Sequence, residues 1–244
     1  MNIALIGYGK MGREVERAAL ARGHAVARIF DVDNNPGGAG ITREALAGVD
    51  VCIEFSTPDA VIGNIAAAAR AGVNIVVGTT GWGDRLEEVR TIVREAGTGL
   101  LHAPNFSLGV NLFMGIVRHA ARLMDPYPAY DAAVHETHHR GKADSPSGTA
   151  LTIAAAMLDA LARKTAVLSG TPEGPIRPEQ LHVSSARVGA VTGTHTVLFD
   201  SEADAIELTH TAKNRSGFAL GAVVAAEWLV GKKGIFTMAD VIPL

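Results

Sequence analysis

The sequence predicts an α/β chain in two domains, a parallel sheet covered by helices followed by an α+β domain built on a mixed sheet. Three observations carry this. Short β-rich runs alternate with helical patterns as far as residue 103, that rhythm changes after residue 106, and glycines fall just past several helical segments. With 244 residues, 48% of them hydrophobic, the chain can fill one large core or two modest ones.

Strands are expected at 2–6, 25–31, 51–55, 74–77 and 100–103, with helices at 10–22, 43–48, 58–71 and 84–96. The third of these helices has a marked start. Thr57 can cap it, Pro58 suits its first position, and Asp59 favours the positive helix end. Gly23, Gly72 and Gly97 sit where a left-handed helix stop is expected. Strand–helix alternation implies a parallel sheet with both faces covered. Beyond residue 106 come a helix at 109–124, a strand at 130–137, a polar loop and a helix at 149–163. Residues 164–180 carry three prolines and read as an irregular excursion. Strands near 181–188, 194–199 and 205–211 suggest an antiparallel or mixed sheet with one face under helices, and an apolar helix follows at 217–230. The domains are read as 1–106 and 107–213, with 214–244 packing back on the first.

The formal net charge of −3 lacks the basic footprint that nucleic-acid backbones require. The one cysteine, Cys52, lies in the apolar run Val51-Cys52-Ile53, so a buried, inert thiol in a reducing compartment is expected. The N-terminus has no basic start and little apolar length before Gly7, unlike a secretory signal. The apolar stretch 218–226 is about half a membrane span and runs into Glu227. A soluble, cytoplasmic protein with neither membrane nor nucleic-acid partner is expected.

Gly7-Tyr8-Gly9-Lys10-Met11-Gly12 follows the first strand and opens a helix, and Asp31 ends the second strand about 20 residues on. In that context the string reads as a Rossmann-like dinucleotide loop. Gly7 makes the turn, Gly9 admits the pyrophosphate, and Gly12 lets helix meet strand. The helix start then offers free N–H groups and positive potential. The same string also fits an ordinary glycine turn. Asp31 would accept the adenosine ribose hydroxyls and repel a 2′-phosphate, which favours NADH, while Lys10 could pair with such a phosphate. Phe55-Ser56-Thr57-Pro58 and Gly78-Thr79-Thr80-Gly81 follow strands on the ligand-binding edge, and together they suggest the nicotinamide half of the pocket.

The densest polar chemistry lies at 136–149. His135-Glu136-Thr137-His138-His139 matches the H-E-x-x-H zinc signature, which works only on a helix. Here the stretch alternates like a strand, which would hold His135 and His139 roughly 13 Å apart, so no metal is expected. His138, His139 and Lys142 then lead to a helix start at Pro146-Ser147-Gly148-Thr149, where a glycine would let an anion reach bare N–H groups. Either a carboxylate or phosphate site, or a solvated basic turn, fits this pattern.

Residues 136–150 resemble the signature of dihydrodipicolinate reductases. GYGKMG, EFSTP, VVGTTG, APNFSLGVN and LTHTAKNRSGFALGAV resemble further segments of that family, in its order. The resemblance implies hydride transfer from NADH or NADPH to a cyclic, unsaturated imine dicarboxylate, then protonation at the adjacent carbon. It also implies a homotetramer held by the substrate domain. It places the proton donor/acceptor role on His138 and the proton-donor role on Lys142, and gives substrate binding to His139, Gly148, Thr149 and Arg215. Gly7, Tyr8, Gly9, Lys10, Met11, Gly12, Asp31, Gly78, Thr79, Thr80, Ala103, Pro104, Asn105 and Phe106 would bind the dinucleotide. Many bacterial members carry an extra glycine in the first loop and an arginine after the acid. Here the loop is shorter, Val32 follows Asp31, and residues 32–50 form a short connection. A different amino-acid dehydrogenase would have no reason to carry HHRGKADSPSGT. A non-catalytic NAD sensor would need no acid/base pair.

Overall fold

A computed structural model describes residues 1–242. It divides into two compact units, one of residues 1–111 with the segment from Arg215 onward, the other of residues 112–214.

In the first unit, β1 (Asn2–Ile6), α1 (Lys10–Ala21), β2 (Ala25–Phe30), β3 (Val51–Glu54), α2 (Pro58–Ala71), β4 (Asn74–Val77), α3 (Leu86–Ala96) and β5 (Gly99–His102) alternate as the periodicity predicts. α4 (Leu108–Met124) leads into the second unit. The later elements α6 (Ser216–Leu229), β11 (Gly234–Phe236) and α7 (Met238–Val241) complete the first unit, and β11 extends its sheet to the order β11-β5-β4-β3-β1-β2, parallel throughout. Helices cover both faces. Ile6, Cys52, Ile75 and Val77 pack with Ile65 and Val89 on one side, whereas Ile3, Leu5, Ile53 and Val76 pack with Val15, Ala222 and Val223 on the other. α2 starts with Pro58 in its first turn and ends on Gly72 at φ +82°, as expected, but Thr57, at the position before it, makes no side-chain capping hydrogen bond.

The second unit holds β6 (Asp131–His138), α5 (Gly148–Leu158), β7 (Ala166–Ser169), β8 (Gln180–Arg187), β9 (Thr194–Asp200) and β10 (Ala205–Thr211), with strand order β10-β9-β6-β8-β7. β6 runs parallel to β8 and antiparallel to β9, so the sheet is mixed. Its inner face carries Ala132 and Val134, buried against Phe113 and Val117 of α4 and Ile153 and Met157 of α5.

Three local expectations fail. The helix expected at 149–163 ends at Leu158, and residues 159–163 are turns and coil. Residues 43–48 form successive turns rather than a helix, because so short a segment buries little beyond Leu46 and ends on Gly48 at φ +78°. The excursion 164–180 contributes β7, paired parallel to β8. It is tied down by Lys164, whose buried Nζ donates to the carbonyls of Pro178 and Gln180 at 2.8 Å each.

Candidate active site

The loop between β1 and α1 is shaped by contacts that only glycine permits. Gly7 has φ +86°, and a Cβ there would lie 2.2 Å from the Phe55 carbonyl oxygen. A Cβ on Gly12 would lie 2.3 Å from the Gly7 oxygen. Gly9 differs, because nothing stands within 4 Å of its missing Cβ, and it begins α1 without a side-chain cap or an acidic first turn. Bare N–H groups at an open helix start suit a pyrophosphate, so the residues fit the dinucleotide expected here.

Two cavities adjoin this loop. One, of about 230 Å³, is lined by Gly7, Tyr8, Gly9, Asp31, Val32 and Asn64 among others. The larger, of about 540 Å³, takes in Gly9, Lys10, Met11, Ser56, Gly78, Thr79, Thr80 and Arg215. Tyr8 folds back on α1, with its hydroxyl on Glu16 and Arg13 4.6 Å above its ring. The Asp31 amide donates to Asn34 Oδ1 at 2.8 Å. Thr79 and Thr80 also line a separate cavity of about 160 Å³ with Trp82, His102, Ala103 and Pro104. Phe106, 2% exposed, packs edge-on against Phe55 with ring centroids 6.0 Å apart, and Asn105 turns back to accept from the Ser107 amide. Arg215 therefore lines the cavity of the glycine loop in the first unit, whereas His139, Gly148 and Thr149 lie in the second.

A carboxylate that sequence reasoning passed over lies next to the 55–58 turn. Glu54, at the end of β3, is fully buried. Its Oε1 accepts from the Ser56 amide at 3.1 Å and from the Ser56 hydroxyl, and burial pushes its carboxyl up despite the opposing Ser56, Thr79 and Asn64 contacts. Thr79 Oγ1 accepts from the same Ser56 amide at 2.8 Å, so the 55–58 and 78–81 turns are joined.

The second unit carries the polar loop. β6 delivers Glu136 and His138 to the helix-covered face, while His135 points the other way and has Nδ1 2.9 Å from Ser184 Oγ. The H-E-x-x-H string is thus a strand, and among the described residues no group of three or more His, Cys, Asp or Glu is placed to hold a metal. His138 is buried and His139 exposed. Lys142 Nζ donates to Asp144 Oδ1 at 2.6 Å, and the Gly148 amide at the start of α5 donates to Asp144 Oδ2 at 3.3 Å. The Lys142 contact holds the Asp144 carboxyl below its ordinary range. One carboxylate of the chain thus already rests on two of the groups expected to bind an anionic substrate. Ser147 caps α5 by accepting from the Ala150 amide at 3.2 Å, and nothing lies within 4 Å of a Cβ on Gly148.

Behind this loop lie residues that local motifs did not reveal. Glu136, 0% exposed, accepts from Arg187 Nη2 at 2.8 Å, Arg187 Nη1 at 3.0 Å, the Ser147 amide at 3.1 Å and His138 Nδ1. Burial alone would raise its carboxyl, but Arg187, His138, Ser185 and the Ser147 amide outweigh that and bring it down to about 2. His195 stacks edge-on against His138 with centroids 5.2 Å apart and has Nε2 3.2 Å from Ser147 Oγ. Burial, reinforced by the charge of His138, lowers His195 to about 4. The only sequence signal for this set was a glutamate and a histidine two apart on a strand, which places them on one face.

Relatives carry the same organisation along their whole length. The model described as dihydrodipicolinate reductase, N-terminus, matches residues 1–106, and that described as dihydrodipicolinate reductase, C-terminus, matches residues 109–242. A 4-hydroxy-tetrahydrodipicolinate reductase of Christiangramia forsetii is 41% identical, covering 99% of this chain and 98% of the relative. One from Archaeoglobus fulgidus is 39% identical over 98% of this chain and 99% of the relative. Among solved structures, a dipicolinate-bound dihydrodipicolinate reductase from Paenisporosarcina sp. TG-14 shares the fold, with a TM-score of 0.78 at 23% identity over 99% of each chain. A glycine cradle in one unit, a polar loop feeding a bare helix start in the other, and full-length likeness to these reductases lead to one assignment: the chain belongs to the dihydrodipicolinate reductase family.

Proposed function

We infer that the chain is a 4-hydroxy-tetrahydrodipicolinate reductase of the diaminopimelate route to lysine, reducing a cyclic unsaturated imine dicarboxylate with a nicotinamide cofactor. The observation that carries this from the geometry is the start of α5. Lys142 and the Gly148 amide there already hold a carboxylate, and the space beyond Gly148 is open. The direct test follows NADH oxidation with substrate made enzymatically from pyruvate and aspartate semialdehyde. Absence of turnover under those conditions would overturn the reading.

The first unit is read as the dinucleotide-binding domain and the second as the substrate and assembly domain. When bound, the reduced nicotinamide supplies the hydride. Gly7 to Gly12 hold the pyrophosphate, Asp31 the ribose hydroxyls, and Gly78 to Thr80 with Ala103 to Phe106 the nicotinamide half. His139, Gly148, Thr149 and Arg215 hold the substrate carboxylates, which compete with Asp144 for the α5 amides. Reduction leaves electron density on the ring, which Lys142 stabilises and protonates while His138 gives or takes a proton.

Cofactor choice follows from the end of β2. Val32, 78% exposed, stands beside Asp31 and offers no cation for a 2′-phosphate. NADH is therefore expected to serve at least as well as NADPH, as read from the ratio of kcat/KM. A preference for NADPH of about tenfold or more, about 1.4 kcal/mol, would show that Lys10 dominates instead.

Substrate anchoring gives another expected result. Since Gly148 has free space around it, Gly148→Ala should fold normally, raise KM and leave NADH binding unchanged. Pyridine-2,6-dicarboxylate should compete with substrate for the same amides, and failure of that dianion to inhibit would move the carboxylate site elsewhere.

A homotetramer in the cytoplasm completes the reading. The outer face of the second sheet carries Ala133, Thr137 and Thr196, half-buried and small enough for close approach of a second sheet. No helix among the described residues is long and apolar enough to cross a membrane. Light scattering at micromolar concentration should report four chains, and monomer alone would contradict it.

A further inference from the structure

The two residues given the proton chemistry are on the loop, but what holds one of them lies deeper. Glu136 is a charged carboxylate with no solvent contact, and such a group is tolerated only when its oxygens are fully engaged. Here they are. Arg187 grips both oxygens through its fork, at 2.8 and 3.0 Å, and also donates to the Asp144 carbonyl at 2.6 Å. The remaining capacity of Glu136 goes to two functional places. Oε2 receives Nδ1 of His138, and Oε1 receives the Ser147 amide, the residue that caps α5.

We propose that Glu136, gripped by Arg187, is a positioning residue that fixes the His138 ring and the anion-binding start of α5 relative to one another. This deepens the reductase reading and rests on it. With Nδ1–H committed to Glu136, Nε2 is the one nitrogen of His138 left to exchange a proton. The Gly193 backbone comes close to that nitrogen, where a Cβ would lie 2.8 Å away, so a side chain at this position would obstruct it. The other ionisable groups around the ring are Arg187 on β8, His195 on β9 with His210 next to it in register on β10, and Lys142 and Asp144 in the loop. His195 is held neutral by burial and by the charge of His138, so it does not compete for Glu136. The contact of Glu136 with Nδ1 fixes the tautomer and direction of the His138 ring, so removing the Glu136 charge should loosen both.

The alternative is that Glu136 and Arg187 form only a structural ion pair, whose loss lowers stability and nothing else. Glu136→Gln separates the two, since it keeps the shape and an acceptor while deleting the charge. The expected result is a kcat lower by at least about tenfold with KM little changed, and unchanged NADH binding. Arg187→Lys keeps the charge but loses the fork, and should lower kcat less. If Glu136→Gln does not fold, Arg187→Lys and Glu136→Asp carry the test, with Glu136→Asp expected to recover part of kcat. The ring nitrogen signals of His138, followed by NMR in protein without substrate, report its tautomer and so the anchor independently of turnover. A changed tautomer in an enzyme that reduces nothing would overturn the reductase reading and keep the anchor. An unchanged tautomer and unchanged kcat, with only a lower melting temperature, would reduce the pair to a structural one.

Discussion

Lys142→Ala and His138→Ala should each lower kcat by at least about tenfold while NADH affinity stays nearly unchanged. Loss of a positioned acid typically costs about 10²–10⁴-fold in rate. The structure gives the two side chains different holds. Lys142 is tethered to the exposed Asp144 at 2.6 Å and is free to exchange that carboxylate for another. His138 is buried and tied to Glu136, so it can relay or polarise but cannot travel. On the proposed function, lysine is the better candidate donor, because its charge would also draw the dicarboxylate. Both serve one step, so the double variant should lose less than the product of the single losses. Steady-state kinetics on the three variants, with NADH binding followed by fluorescence, separates this from a binding role, in which KM rises and kcat survives. Near-wild-type kcat in both single variants would remove proton chemistry from this loop.

Gly12→Ala should abolish dinucleotide binding and lower the melting temperature, because its Cβ would meet a backbone oxygen at 2.3 Å rather than a side chain that can swing aside. Overpacking of this kind costs about 1–3 kcal/mol, and here relief requires opening the turn itself. Gly9→Ala is the control that separates fold from binding. With nothing within 4 Å of its Cβ, it should leave the melting temperature alone and weaken only NADH, by obstructing the pyrophosphate. Thermal melts and fluorescence titrations on the pair are sufficient. If Gly9→Ala binds NADH as well as wild type, the pyrophosphate does not cross this loop.

What could be read from sequence was whatever a short segment of backbone decides for itself. The G-x-G-x-x-G turn, the Pro58 helix start and the glycine stops depend on a few adjacent dihedrals, so their residues announce them. The strand character of 131–138 was legible for the same reason, and it disposed of the helical reading of H-E-x-x-H. Partnerships across the sheet were not legible. Glu136 and Arg187 are 51 positions apart and meet only because β6 and β8 pair in one particular register. The fully buried Glu54 looked like the polar end of an apolar strand, and its tie to Ser56 and Thr79 appears only once β3 lies beside β4. β7 was hidden because prolines beyond it suggested a loop, while its pairing with β8 supplies the order. Arg215, placed with the substrate groups on resemblance, lines the cavity of the glycine loop.

The sheet order β11-β5-β4-β3-β1-β2 also bears on how the chain acquires its structure. On one face of that sheet, Ile3, Leu5, Ile53, Val76 and Leu101 are covered by Ala219, Ala222, Val223 and Ala226 of α6. These partners are synthesised only after the whole intervening unit. During translation the first unit therefore emerges with that face covered only in part, by Val15 and Ala19 of α1, and with β5 as an unpaired edge of its sheet. Residues 112–214 form one continuous stretch and can fold as soon as they leave the ribosome. The second unit is thus complete in sequence before the first, the opposite of the usual order in which the leading domain is finished first. For that interval the nascent chain is a substrate for chaperones that bind apolar strands, and slowing translation just before residue 216 would lengthen its exposure.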